Sequence, residues 1–83
     1  MIGRIVCSKM GRDKGAFMVI VGEDEGRFLV CDGKERPLER PKPKNRKHLS
    51  FTNSKLLQEQ FSSNRALRKS LKEYKGVLSE MEE

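Results

Sequence analysis

The sequence predicts a mainly β chain: a small antiparallel β-barrel followed by a C-terminal α-helical segment. Three observations predict it. Short runs rich in β-branched and aromatic residues occur at 3–8, 16–22 and 27–31, a composition that suits strands. Glycine-bearing turns separate them, Gly11-Arg12-Asp13-Lys14-Gly15, Glu23-Asp24-Glu25-Gly26 and Asp32-Gly33; short strands at this spacing are the pattern of an antiparallel barrel or sandwich. Beyond residue 64 the apolar positions take a helical period instead.

Residues 1–8 form the first strand. Ile2, Arg4, Val6 and Ser8 share one face and Gly3, Ile5 and Cys7 the other. The unbroken Ile5-Val6-Cys7 suits a strand covered on both sides. The run from Ala16 to Gly22 is the strongest strand. Between them, Gly11 and Gly15 supply the backbone freedom of a tight turn, which holds Lys9, Arg12 and Lys14 on a short arch. Asp13 is read as capping that turn through its own backbone. Arg27–Cys31 is the third strand, and Asp32-Gly33 is a hairpin signal. The expected partner strand is 34–39, confined to an edge by Pro37. Residues 40–48 read as a basic linker, kept extended by Pro41 and Pro43 with its Lys and Arg fanned along it. A short strand over 46–49 is expected to complete the wall.

This divides the chain into a barrel with its linker, 1–50, and a helical extension, 51–83. Thr52, Asn53 and Ser54 are candidate caps for a helical stretch over 55–61, and Ser62, Ser63 and Asn64 a break or second cap. Leu67, Leu71, Tyr74, Leu78 and Met81 then recur at spacings of 4 and 3. Leu57, Phe61 and Asn64 extend the seam backwards. The seam suits packing on the barrel and docking to a partner equally well. Gly76 weakens this helix by up to about 1 kcal/mol relative to alanine.

The formal charge is +6, from 18 Lys/Arg and 12 Asp/Glu. Residues 1–50 carry a net +5 and residues 51–83 a net +1, so the basic character belongs to the barrel. Such a balance favours nucleic acid as partner, ahead of an anionic membrane surface. No apolar run approaches the about 20 residues of a membrane span, and Arg4 interrupts any signal-peptide pattern. No membrane partner and a cytoplasmic location are expected. Cys7 and Cys31 lack the companions of a zinc site. They read as buried thiols in a reducing compartment, with a disulfide between adjacent strands geometrically open.

Enzymatic motifs are missing from the sequence. Residues 11–15 are too short for a Walker loop and lack its Gly-Lys-Ser/Thr ending. The lone His48 has no nucleophile or ligand partner. The acidic groups at 23–25 and 80–83 are a turn and a chain terminus. No enzyme activity, cofactor, metal or small-molecule substrate is expected.

Gly3-Arg4-Ile5-Val6, followed by Ser8-Lys9-Met10-Gly11-Arg12-Asp13-Lys14-Gly15 and the apolar run to Gly22, resembles a KOW motif. That motif is a strand–loop–strand unit centred on a glycine, found in ribosomal proteins and transcription factors. The run from Phe28 to Gly33, then Pro41-Lys42-Pro43-Lys44-Asn45-Arg46-Lys47-His48-Leu49, resembles archaeal and eukaryotic-type large-subunit ribosomal proteins with an SH3-like barrel. The chain is most similar to the bacterial KOW-domain RNA-binding proteins that resemble them. The likeness spans roughly residues 2–50 by these turn and strand signals. It implies an SH3-like barrel that binds structured RNA, ribosomal RNA above all, as a ribosomal-protein-like or ribosome-associated factor without a catalytic site.

The candidate RNA-binding residues form two groups. Lys9, Gly11, Arg12, Lys14 and Gly15 of the first turn, where side chains and backbone N–H groups suit phosphate, form one group with Arg4 of the first strand. Lys34, Arg36, Arg40, Lys42, Lys44, Arg46, Lys47 and His48 form an arm for a groove of folded RNA. Phe17 and Phe28 sit in the most apolar runs and read as core, which favours recognition of shape and backbone over stacking on single-stranded bases. The alternative is a protein-interaction module, in which the barrel or the C-terminal helix docks a ribosomal, transcription or translation partner. If about six phosphates are neutralised, log K for folded RNA should fall with log salt at a slope on the order of −4 to −5. Titrations at several salt concentrations measure it, and a slope near zero sinks the electrostatic reading.

Overall fold

Five strands and one long helix build the chain, whose computed structural model describes residues 1–81, the side chain of Met81 excepted. The strands are β1 (Arg4–Ser8), β2 (Phe17–Asp24), β3 (Arg27–Cys31), β4 (Lys42–Lys44) and β5 (Leu49–Lys55), and the helix is α1 (Asn64–Met81). All pairings are antiparallel, in the order β4-β3-β2-β1-β5. The fold is mainly β with a C-terminal helix, as the sequence predicts. The expected seam member Met81 and the acidic residues Glu82 and Glu83 lie wholly or in their side chains outside the described residues.

The sheet has to curl. β4 and β5 occupy its two edges, which a flat sheet would hold about 19 Å apart. Only Asn45 and a 3-10 turn, Arg46–His48, join them. That connection reaches no more than about 13 Å. Register shifts between Ile20 and Gly22 on β2 and between Arg4 and Val6 on β1 supply the bends. β2 gives its first half to β1 (Cys7 opposite Phe17, Ile5 opposite Val19) and its second half to β3 (Glu23 opposite Phe28). The result is a small, barrel-like sheet.

Both faces of the sheet are buried, and this explains the unbroken apolar runs. One face packs Val6, Met18, Ile20, Phe28, Val30 and Leu49, with Phe51 against them. The other joins Ile5, Val19 and Cys31 to Leu56, Leu67 and Leu71, with Phe17, Leu38, Phe61 and Tyr74 packed on. The helix therefore covers the sheet with its Leu67–Leu71–Tyr74 seam; of the two expectations for the seam, packing within the chain is realised. Ser63 caps it, its Oγ accepting from the Ala66 N–H at 3.1 Å. Asn64, the polar member of the seam, accepts from the Leu38 N–H at 2.8 Å and donates to the Glu39 carboxylate at 2.8 Å. At Gly33 an added Cβ would lie 2.5 Å from the Asn64 carbonyl oxygen, so only glycine lets the loop after β3 approach the helix this closely.

Three expectations are corrected. Residues 34–39 are not a strand. The Asp32 carboxylate accepts from the Lys34 and Arg36 N–H groups at 2.8 and 2.9 Å, which takes those amides out of any ladder. The partner of β3 is instead Lys42–Lys44 from the expected linker, with Phe28 opposite Lys44 and Val30 opposite Lys42. Second, residues 46–48 are a 3-10 turn, because the Asn45 side chain accepts from the Lys47 N–H at 3.0 Å. Third, Thr52, Asn53 and Ser54 lie in β5 rather than at a helix start; Thr52 Oγ1 donates to the Ile5 carbonyl at 2.7 Å. A 3-10 turn, Gln58–Phe61, follows. The division at 50/51 therefore cuts through β5, and the second part shares a core with the first.

The alternative left open for the cysteines, a disulfide, is out of reach. β2 separates β1 from β3, and Cys7 lies opposite Phe17 whereas Cys31 lies opposite Val19, so two strand spacings of about 4.8 Å and a two-residue offset hold the cysteines beyond the about 7 Å Cα limit. Both thiols are free, and Cys7, expected to be buried, is only half-buried. Cys31 is buried, its Sγ donating to the Pro37 carbonyl at 3.4 Å. Burial, then the Asp32 and Glu39 charges, push its pKa up to about 11. Among the described residues no helix is long and apolar enough to cross a membrane.

Leu67 is fully buried between α1 and the sheet. Leu67→Ala should cost about 3 kcal/mol in urea unfolding, whereas Lys69→Ala on the exposed side should stay within about 0.5 kcal/mol. Equal, small effects would show that the helix is not part of the cooperative core.

Candidate nucleic-acid interface

The first loop is closed by backbone hydrogen bonds. Gly15 N–H donates to the Ser8 carbonyl at 2.8 Å, Ala16 N–H to the Asp13 carbonyl at 2.8 Å, and Lys14 N–H to the Gly11 carbonyl at 3.2 Å. Gly11 and Gly15 take positive φ, 82° and 88°, a region open to glycine at no steric cost. With the backbone closing the turn, the Asp13 side chain is not needed as its cap. It turns inward instead, to 9% exposure. Its Oδ2 lies 3.4 Å from Arg36 Nη2, 3.5 Å from Lys42 Nζ and 3.6 Å from Lys44 Nζ.

One buried carboxylate thus gathers three cations from the opposite end of the sheet. Burial alone would raise the Asp13 pKa. The Arg36, Lys42 and Lys44 charges and the Lys42 hydrogen bond outweigh it, and hold the carboxyl below its ordinary 3.8. Lys44 is itself buried, at 7% exposure. Its ammonium also donates to Ser8 Oγ at 2.8 Å and to the Met10 carbonyl at 3.1 Å. A side chain of edge strand β4 therefore reaches the end of β1 and the first loop, joining the two where no strand pairing does. The expected picture of Lys and Arg fanned along a linker is corrected accordingly: β4 turns Lys42 and Lys44 toward Asp13.

The candidate residues divide by position. Lys9, Arg12, Lys14, Lys34, Arg40, Arg46 and Lys47 are exposed, as are Gly11 and Gly15. Arg36, Lys42 and His48 are half-buried. Arg4 is half-buried too and donates to the Thr52 carbonyl at 3.0 Å, which leaves it bracing β5. Gly11, Lys42, Lys44 and His48 come together around an open cleft of about 560 Å³, with Arg27 and Asn45 as further walls. Lys9 N–H donates to the His48 carbonyl at 2.8 Å, fastening the first loop to the 3-10 turn that bears Arg46 and Lys47. The Arg46 guanidinium sits 5.6 Å over the Phe51 ring, a cation–π contact. Arg40 lines a separate shallow cleft beside Glu35, which Arg36 shares while its guanidinium reaches Asp13, and Lys34 faces the helix; Lys34 and Arg40 do not join the loop cluster.

Arg27, Asn45 and the inward role of Asp13 were not legible beforehand. Arg27 follows a turn glycine and lacks a motif; only the pairing of Phe28 with Lys44 carries it to the cleft. The one signal for Asp13 was its position as a lone acid among Lys9, Arg12 and Lys14. The aromatics do not form a stacking platform. Phe28 is buried and meets Phe51 edge-on at 5.6 Å, and Phe17 meets Tyr74 edge-on at 5.3 Å. Among the described residues no three His, Cys, Asp or Glu side chains gather as a metal site. What the cleft and its rim can do chemically is hold anionic oxygens on positioned cations and loop amides.

No protein-family model matches the chain, and no curated protein is significantly similar to it in sequence.

Asp13→Asn should cost about 2 kcal/mol of stability at neutral pH, since it leaves the Lys44 ammonium buried without its counter-charge. Because the folded pKa lies below the ordinary 3.8, this contribution is fully present above that value and is lost as pH falls through the folded one. Chemical unfolding at pH 7 and pH 3 checks it. A difference between wild type and variant that is the same at both would exclude the carboxylate as its source.

Proposed function

We propose that the protein binds structured RNA by its phosphate backbone. One observation carries the reading. The first loop and the 3-10 turn after β4, more than thirty residues apart in sequence, are fastened together beside a cleft walled by Arg27, Lys42 and His48, and the exposed cations of the two segments, Lys9, Arg12 and Lys14 with Arg46 and Lys47, flank its lining residues Met10, Gly11, Asn45 and His48 in sequence. The Asp13 hub and the loop hydrogen bonds fix the backbone that carries these cations, which lowers the ordering cost of binding. Phosphate contacts of this kind set affinity and register, and RNA shape selects the site.

The resemblance to KOW-domain proteins makes this RNA ribosomal and the protein a cytoplasmic component of the translation machinery, ribosomal-protein-like or ribosome-associated. A strand–loop–strand over residues 4–24 that continues into a curled five-stranded sheet supports that resemblance. A second reading rests on another surface. Met1, Ile2 and Leu57 are 49%, 56% and 64% exposed, beside a cleft lined by Val21, Leu56 and Phe61. An apolar patch of this kind supports docking of a protein partner by the barrel.

Changing Lys9, Arg12 and Lys14 together to Ala should weaken binding to a folded RNA stem-loop by about tenfold or more at low salt, and flatten the log–log salt slope by about 2 to 3. Circular dichroism should be unchanged, because all three side chains are exposed. An unaltered affinity would remove the first loop from the interface and favour the protein-docking reading.

A further inference from the structure

The helix reads as electrically minor when counted with its flanks, since residues 51–83 carry a net +1. Position reverses that impression. Within α1 there are five bases, Arg65, Arg68, Lys69, Lys72 and Lys75, against the acids Glu73 and Glu80. At about 100° per residue, Lys75, Arg68, Lys72 and Arg65 fall in one arc directly beside the buried Leu67–Leu71 arc. Glu73 and Glu80 fall on the far side. Four of the five cations are thus segregated onto the helix edge that borders the sheet, and Lys69 falls with the acids.

That edge faces a groove of about 330 Å³ between α1 and the loop after β3. Lys34, Arg68, Lys72 and Lys75 form its rim, and Phe17 and Leu71 lie in its floor. Arg68 Nη1 donates to the Gly33 carbonyl at 2.9 Å, which positions the guanidinium at the rim. Among the described residues none of the four rim cations forms an ion pair. The one acid lining the groove, Asp32, already accepts from the Lys34 and Arg36 N–H groups. Arg68 and Lys72 are four residues apart and Lys72 and Lys75 three, spacings at which like charges repel on a helix. The fold therefore holds together a set of unneutralised cations that an anion would relieve. Ala16 also lines this groove, and Lys14 is two residues away on the first loop.

We infer that the groove between α1 and the Asp32–Lys34 loop is a second phosphate-binding track, which takes the continuation of an RNA backbone that passes the first loop at Lys14. The inference rests on the RNA-binding reading and extends it to a part of the chain whose sequence gave no such sign. Charge complementarity selects the occupant: the four rim side chains are cationic, and the exposed Lys14, two residues from Ala16 of the groove, adds a charge of the same sign.

Three measurements on the full chain test it, with a fluorescein-labelled RNA stem-loop as probe. Lys72→Glu should weaken binding about tenfold and flatten the salt slope by about 1 to 2. Lys55→Glu makes the same change in net charge on β5, away from the groove, and should change affinity less than about twofold. In the wild-type protein, bound RNA should shield Lys72 and Lys75, but not Lys55, from acetylation; this needs no variant to fold. Equal losses in the two variants, or Lys72 and Lys75 left unshielded while the first-loop variant loses affinity, would overturn the helix track and leave the first-loop interface standing. Absence of wild-type binding to the stem-loop at low salt would overturn both. Co-sedimentation with phosphatidylglycerol vesicles that depends on Lys72 and is not competed by the RNA would assign the track to a membrane surface and likewise overturn it.

Discussion

The Asp13 carboxylate is the constraint on which the arrangement of this molecule depends. It sits on a loop between the first two strands, and its three cationic neighbours come from the far edge of the sheet and the loop before it. A buried charge is tolerated only when paired and hydrogen-bonded. That requirement fixes the first loop against β4, and with it the 3-10 turn, because Lys44 also holds Ser8 and Met10. The same contacts that close the barrel therefore decide which cations face outward. Lys42 and Lys44 are drawn in, while Lys9, Arg12, Lys14, Arg46 and Lys47 are left exposed.

Burial on both sheet faces follows from the small size of the chain. A barrel of this length cannot enclose enough apolar surface by itself. The helix contributes Leu67 and Leu71 to a cluster with Ile5, Val19 and Cys31, so the sheet is sandwiched rather than half-exposed. The helix is thus as much a part of the domain as any strand, and its cationic edge is held in a set orientation relative to the first loop.

The legible parts of the sequence were those with a local cause. Phe28–Cys31 and the core of β2 are unbroken apolar runs bounded by glycine-bearing turns, and strand propensity and burial agree there. The Leu67–Leu71–Tyr74 seam is a period that only a helix satisfies. The parts that escaped depend on side chains answering distant or local backbone. Asp32 captured the amides that would have made 34–39 a strand. Asn45 turned an extended segment into a 3-10 turn. Thr52, which has the chemistry of a cap, satisfied its hydroxyl on β1 from within β5. At the candidate site the exposed cations were visible as charge. Which of them would be neutralised was not, because that is set by Asp13, 23 to 31 residues away from its partners.

The proline at the centre of β4 has one more effect. A strand at a sheet edge offers unpaired amides to any neighbouring chain. β4 is three residues long and its middle residue is Pro43, which lies opposite Leu29 and has no N–H to offer. A peptide approaching this edge finds almost no ladder to extend. Strand addition, the usual way in which a small barrel captures a chain or aggregates with its own kind, is closed at β4, and side-chain charge is left as the means of recognition along that border.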